Sequence, residues 1–156
     1  MTEKAALFAE LTAAVEEILA REDTRDARLQ AVCDLLHDRV PRYDWVGFYL
    51  VPPGEPGQLR LGPYAGAATE HTHIAFGQGV CGQAAARAET VNVPDVRSEG
   101  NYLACSLETR SEIVVPLLRD GEVLGELDLD SHTRDAFQPA DREFLESLAA
   151  RISVLF

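Results

Sequence analysis

Apolar residues fall at helical spacing at both ends of the chain. Leu7, Leu11, Val15, Ile18 and Leu19 mark one helical face, and Leu29, Val32, Cys33 and Leu36 mark another after the break "REDTRD". Two amphipathic helices are therefore predicted within residues 3–38. Asp23 or Thr24 suits the N-cap of the second, where a short side-chain oxygen accepts from an otherwise unpaired backbone N–H. The last stretch, "FQPADREFLESLAARISVLF", predicts a closing helix over 139–155. Pro139 stands near its first turn, where the missing N–H costs little, and Phe144, Leu145, Leu148, Ile152 and Leu155 form its apolar stripe.

Between these helices the pattern changes to short extended runs. "DWVGFYLV" (44–51) reads as a strand stopped by "PPGEPG", "QLRLGPY" (58–64) as its antiparallel neighbour, and "HTHIAF" (71–76) as a third strand. "GQGVCGQAAARAE" is a glycine loop entering a short helix, and "TVNVPDV" a short strand ended by proline. "EIVVPLL", the turn "RDGE" and "VLGELDLD" make a hairpin. This order predicts an α+β fold, an antiparallel sheet with helices packed on one face. No internal repeat, linker or low-complexity segment interrupts it.

The 156 residues suffice for one core without disulfide or metal support, and 46% hydrophobic with 26% charged residues is an ordinary globular balance. The formal charge of −12 repels nucleic-acid phosphates and anionic membranes, while cationic or zwitterionic small molecules remain permitted. The first residues lack a basic segment followed by an unbroken apolar one, so no signal peptide is expected. No run approaches the roughly 20 apolar residues that span a bilayer. A cytoplasmic location is the expectation. Three cysteines, an odd number, then argue against a disulfide framework.

Those cysteines differ in setting. Cys33 lies on an apolar helical stripe and reads as core. Cys81, in "GQGVCG", stands where a helix begins, and helix N-terminal N–H groups favour a thiolate. Cys105 follows a polar loop ahead of the hairpin and falls on no periodic core face, which suits a pocket rim. In "GELDLD", alternation puts Glu126, Asp128 and Asp130 on one face and Leu127 and Leu129 on the other. Carboxylates that close raise at least one pKa and can hold a proton near neutrality. Glu112 joins them or not according to the turn. A two-residue loop at Asp120 and Gly121 pairs Glu112 with Leu129 and points it away; a loop of Arg119 to Gly121 with a bulge pairs it with Asp128. Trp45, Gly47 and Tyr49 share a strand face on which the two aromatics could wall a cavity. His71, His73 and His132 are weak as a metal set, and no metal centre is expected.

The ordered series "WVGFYL", "GQGVCG", "ACSLETRSEIVVPL" and "GELDLDS" resembles the GAF domains that act as free methionine-(R)-sulfoxide reductases, from Trp45 onward. The resemblance implies one GAF-like domain over residues 1–156, with a sheet of about six strands, helices on one face and an enclosed pocket on the other. It implies that Cys105 is the nucleophile, that Glu112, Asp128 and Asp130 hold the substrate, that Trp45 lines the methyl side with Tyr49 close by, and that Cys81 belongs to the pattern. Glu126 joins the acidic pocket through the strand alternation. The expected chemistry is reduction of the sulfoxide by Cys105, with Asp128 or Asp130 supplying a proton and Cys81 or an external thiol resolving the sulfenic acid. The family pattern has a further cysteine roughly ten residues before Cys81, and here His71 in "TEHTH" stands nearest. No organic cofactor is needed; thioredoxin or another dithiol would supply electrons. The alternative is a stand-alone GAF domain that binds or senses a small molecule without thiol chemistry. The amphipathic first helix and apolar "ISVLF" suit a homodimer.

Overall fold

The computed structural model describes residues 2–100 and 108–156. Helix α1 (Glu3–Leu19) buries Phe8, Leu11, Val15 and Ile18, and α2 (Arg25–Arg39) buries Leu29, Val32, Cys33 and Leu36. Helical spacing selects all four in α2 and Leu11, Val15 and Ile18 in α1; Phe8, which it does not select, takes a core place, while Leu7 and Leu19 are only half-buried. Of the two candidate caps, Thr24 takes the position: its hydroxyl accepts from the Ala27 N–H at 3.1 Å, while the Asp23 carboxylate accepts from the Thr24 N–H at 2.8 Å. The closing helix α4 (Pro139–Ile152) gives way to a 3-10 turn over Ser153–Leu155. Its buried Asp141 accepts from the Gln138 N–H at 3.0 Å and the Tyr43 hydroxyl at 2.8 Å, and also pairs with Lys4 of α1. The stacked rings of Phe8 and Phe144 complete the α1–α4 contact.

Six antiparallel strands form one sheet in the order β3-β2-β1-β6-β5-β4. They are β1 (Trp45–Leu50), β2 (Gln58–Ala65), β3 (His73–Ala75), β4 (Val91–Val93), β5 (Ser111–Arg119) and β6 (Glu122–Ser131). The third strand is shorter than its sequence run: His71 and Thr72 precede it and Phe76 follows it. On one face, Val46, Phe48, Ile113, Val115, Leu117, Leu127 and Leu129 pack with α1, α2 and α4 into the main core. The remaining helix, α3 (Gly79–Arg87), lies across the opposite face, where Val80, Cys81, Ala84 and Ala85 meet Trp45, Tyr49 and Val114. The three long helices thus share one face, as the element order predicts. The short one encloses the other.

Candidate active site

The pairing of the central strands assembles the site. On β6, Glu126, Asp128 and Asp130 stand opposite Tyr49, Gly47 and Trp45 of β1. Directly opposed residues send their side chains to the same face, so the aromatics and carboxyls of the sequence analysis converge there. Glu112 joins them, in a register that neither alternative considered from the sequence gives. Arg119 pairs with Glu122 across the two-residue loop of Asp120 and Gly121, both with positive φ (52° and 79°). Leu118 then pairs with Val123 and Leu117 with Gly125, so Leu124 is the extra residue. This bulge on the far strand shifts the register by one and sets Glu112 opposite Asp130, neither Leu129 nor Asp128. Gly125 permits the close crossing, since a Cβ there would stand 2.7 Å from the Tyr49 carbonyl oxygen. Glu112, Glu126, Asp128 and Asp130 are all at most 2% exposed.

Helix α3 closes over these acids. Cys81, in its first turn, is buried, and its thiol donates to Asp128 Oδ2 at 3.3 Å. Cys81, Glu112 and Asp128 bring one ligand atom each to within 4.8 Å of one another. A small cavity lies among Tyr49, His71, Ile74, Cys81, Glu112 and Asp128. Trp45, Glu126 and Asp130 stand on the same sheet face beside this lining. Burial raises the Asp128 carboxyl above the ordinary carboxylate range, an effect that hydrogen bonds with Glu112 and Cys81 partly offset. Glu126 is raised by burial and next by the charge of Asp128, against a smaller lowering by Cys81. Both shifts favour the protonated carboxyl in the folded protein.

The aromatic wall also fixes the chain above it. Trp45 Nε1 donates to the Ala67 carbonyl at 2.9 Å and the Tyr49 hydroxyl to the His71 carbonyl at 2.8 Å. Both bonds hold the β2–β3 connection against the acidic face. The indole lies over Gly47, where an added Cβ would come within 2.3 Å of it. Tyr64, which the sequence analysis did not single out, pairs with Gly47 across β1 and β2 and stacks on Trp45 at 5.5 Å. A glycine amid the bulky residues of "WVGFYL" was the available signal for a ring crossing that strand.

The other candidates separate. Cys105 lies outside the described residues. Cys33 sits on the far side of the sheet in the main core, its thiol pushed up by burial and donating to the Pro63 carbonyl at 3.5 Å. His71 lines the cavity, His73 is exposed on β3, and His132 is exposed, its backbone N–H donating to Asp44 Oδ2 at 2.8 Å. Among the described residues, the group able to hold a metal contains no histidine.

A six-stranded antiparallel sheet, with long helices on one face and an acidic cavity under a short helix on the other, defines an α+β ligand-pocket fold. The GAF domain family profile matches residues 24–156. The chain belongs to the GAF domain family. It is 38% identical over 147 residues to the free methionine-R-sulfoxide reductase of Saccharomyces cerevisiae, covering 87% of this chain and 81% of that protein. It is 34% identical over 149 residues to the enzyme of the same name from Escherichia coli, covering 96% and 88%. The crystal structure of free methionine-R-sulfoxide reductase from Neisseria meningitidis, in complex with its substrate, superposes with a TM-score of 0.92 at 40% identity, covering 100% of this chain and 92% of that one.

Proposed function

We propose that this protein is an oxidoreductase that reduces free methionine-R-sulfoxide with thiol electrons, residues 1–156 acting as one GAF domain. The observation that carries the reading is the buried set of Glu112, Glu126, Asp128 and Asp130 beside Cys81 and an aromatic wall, in a chain similar to enzymes of that name. Buried carboxyls call for a cationic partner, and the ammonium of a free amino acid supplies one. Trp45 is assigned to the methyl side of the substrate and Tyr49 to holding the loop above it.

In the proposed cycle the Cys105 thiolate attacks the sulfoxide sulfur while a protonated carboxyl, Asp128 or Asp130, gives its proton to the sulfoxide oxygen. The raised Asp128 suits that donor. Oxygen passes to the cysteine, the substrate gains two electrons as methionine, and Cys105 becomes a sulfenic acid. A thiol, from Cys81 or an external dithiol, condenses with it and releases water; a second thiol restores Cys105. Thioredoxin or a comparable cytoplasmic dithiol fits the last step, and a homodimer fits the amphipathic α1. The sensing alternative has less behind it, because the curated relatives include proteins named as reductases.

The test is loss of free methionine-R-sulfoxide, with the S epimer as control and excess dithiothreitol as reductant. R-selective loss that vanishes in Cys105→Ser is expected. No loss at high enzyme concentration would leave a non-catalytic binding domain.

A further inference from the structure

Three elements each bring one metal-competent atom to a common point: the Cys81 thiol from α3, the Glu112 carboxyl from β5 and the Asp128 carboxyl from β6. The Cys81 Sγ to Asp128 Oδ2 distance is 3.3 Å, and all three atoms lie within 4.8 Å of one another. A tetrahedral zinc with ligand bonds of about 2.3 Å to sulfur and 2.0–2.2 Å to oxygen has sulfur–oxygen edges of roughly 3.5 Å. One edge of such a site is already formed.

A second observation points to a cation there. Both oxygens of Glu126 and the Oδ1 atom of Asp128 are buried without a hydrogen-bond donor among the described residues. Glu126 is fully buried next to Asp128 and Cys81. Buried carboxyl oxygens without donors can ionise only at a cost that an arriving cation removes. The thiol decides which cation. Calcium and magnesium want six or more hard oxygens, whereas a sulfur with two carboxyl oxygens suits zinc.

We propose that Cys81, Glu112 and Asp128 form a zinc site inside the substrate pocket, so that zinc and the amino acid exclude each other. Coordination releases to solvent the thiol proton and any proton that Glu112 and Asp128 share, and the metal neutralises the carboxyls that the substrate ammonium would otherwise face. The metal site itself is independent of the reductase reading; the mutual exclusion rests on it.

The test titrates cobalt(II), as a visible substitute for zinc, into the full-length chain after chelator treatment and reduction with a phosphine. A sulfur-to-cobalt charge-transfer band saturating at one equivalent is expected, displaced by zinc and not by magnesium. Cys81→Ser should abolish the band and Asp128→Asn should weaken cobalt binding at least tenfold, with circular dichroism in chelator showing that each variant folds. Cys33→Ser should leave the band intact. No band, or a band that survives Cys81→Ser and is lost in Cys105→Ser, overturns the site. Because the metal's spectrum is the readout, an inactive enzyme does not affect this arm. In protein shown by calorimetry to bind methionine-R-sulfoxide, saturation with that compound should remove the band; a band left unchanged overturns the shared pocket.

Discussion

Glu126 is a fully buried carboxyl whose two oxygens meet no close donor among the described residues. Burial, and then the charge of Asp128, raises its carboxyl in the folded protein. The folded state therefore keeps a proton there that the unfolded chain has already released above its ordinary value of about 4.3. In the window from that value up to the raised folded one, stability falls as pH rises; below it the contribution is fully present. Glu126→Gln keeps the shape and removes the charge. Its thermal midpoint should exceed that of the parent by a few degrees at about pH 7.5, at roughly 2–4 °C per kcal/mol gained, and the difference should shrink toward about pH 4. Differential scanning calorimetry across that range checks both. An equal or lower midpoint at the higher pH would show that Glu126 is well paired in the folded protein. A functional carboxyl that costs stability is the expected exchange at a binding site.

At the scale of elements, the hairpin β5–β6 decides whether the site exists, and it turns on one residue. With Leu124 as a bulge, Glu112 faces Asp130; with Leu124 paired instead, a tight loop at Asp120 and Gly121 would pair Glu112 with Leu129. Deleting Leu124 should remove the bulge and leave Glu112 opposite Asp130, because Leu118 already pairs with Val123 and Leu117 with Gly125. The variant should keep near-ultraviolet circular dichroism and a cooperative melt; loss of both would mean that the bulge itself, and not only the register beyond it, is required. Much of this element was legible beforehand. The alternation in "GELDLD" exposes its acidic face directly, and the helical stripes of α1, α2 and α4 name most of the core residues found, though not Phe8, while Leu7, Leu19 and Leu155 are only half-buried. The bulge was not legible, because Leu124 interrupts no alternation until the partner strand is laid beside it. Nor was the side on which α3 packs, since Gly79 to Arg87 is short and its stripe of Val80, Cys81, Ala84 and Ala85 is made of small residues that do not commit it to either face. Cys81 meets Asp128 only through that packing.

For the whole molecule, two sources of negative charge must be separated: the overall −12, and the four carboxyls at most 2% exposed inside the sheet–α3 layer. A free methionine sulfoxide is a zwitterion, so the global field exerts little net pull on it. In the proposed binding mode the buried carboxyls act on its ammonium at short range, where salt screens weakly. If they carry recognition, kcat/KM for the free amino acid should change by less than about twofold on raising salt from ~0.05 to ~0.5 M. Acetylating the amine removes its positive charge and adds bulk to a ligand that must fit a small cavity. Leaving a buried charge without its partner costs about 3–5 kcal/mol, a factor of a few hundred or more. N-acetyl-methionine-R-sulfoxide should therefore be reduced with a kcat/KM at least about a hundredfold below that of the free form. Comparable turnover of the two, measured with the same reductant, would mean that the acidic cavity does not hold the ammonium and that the substrate reaches Cys105 from outside it.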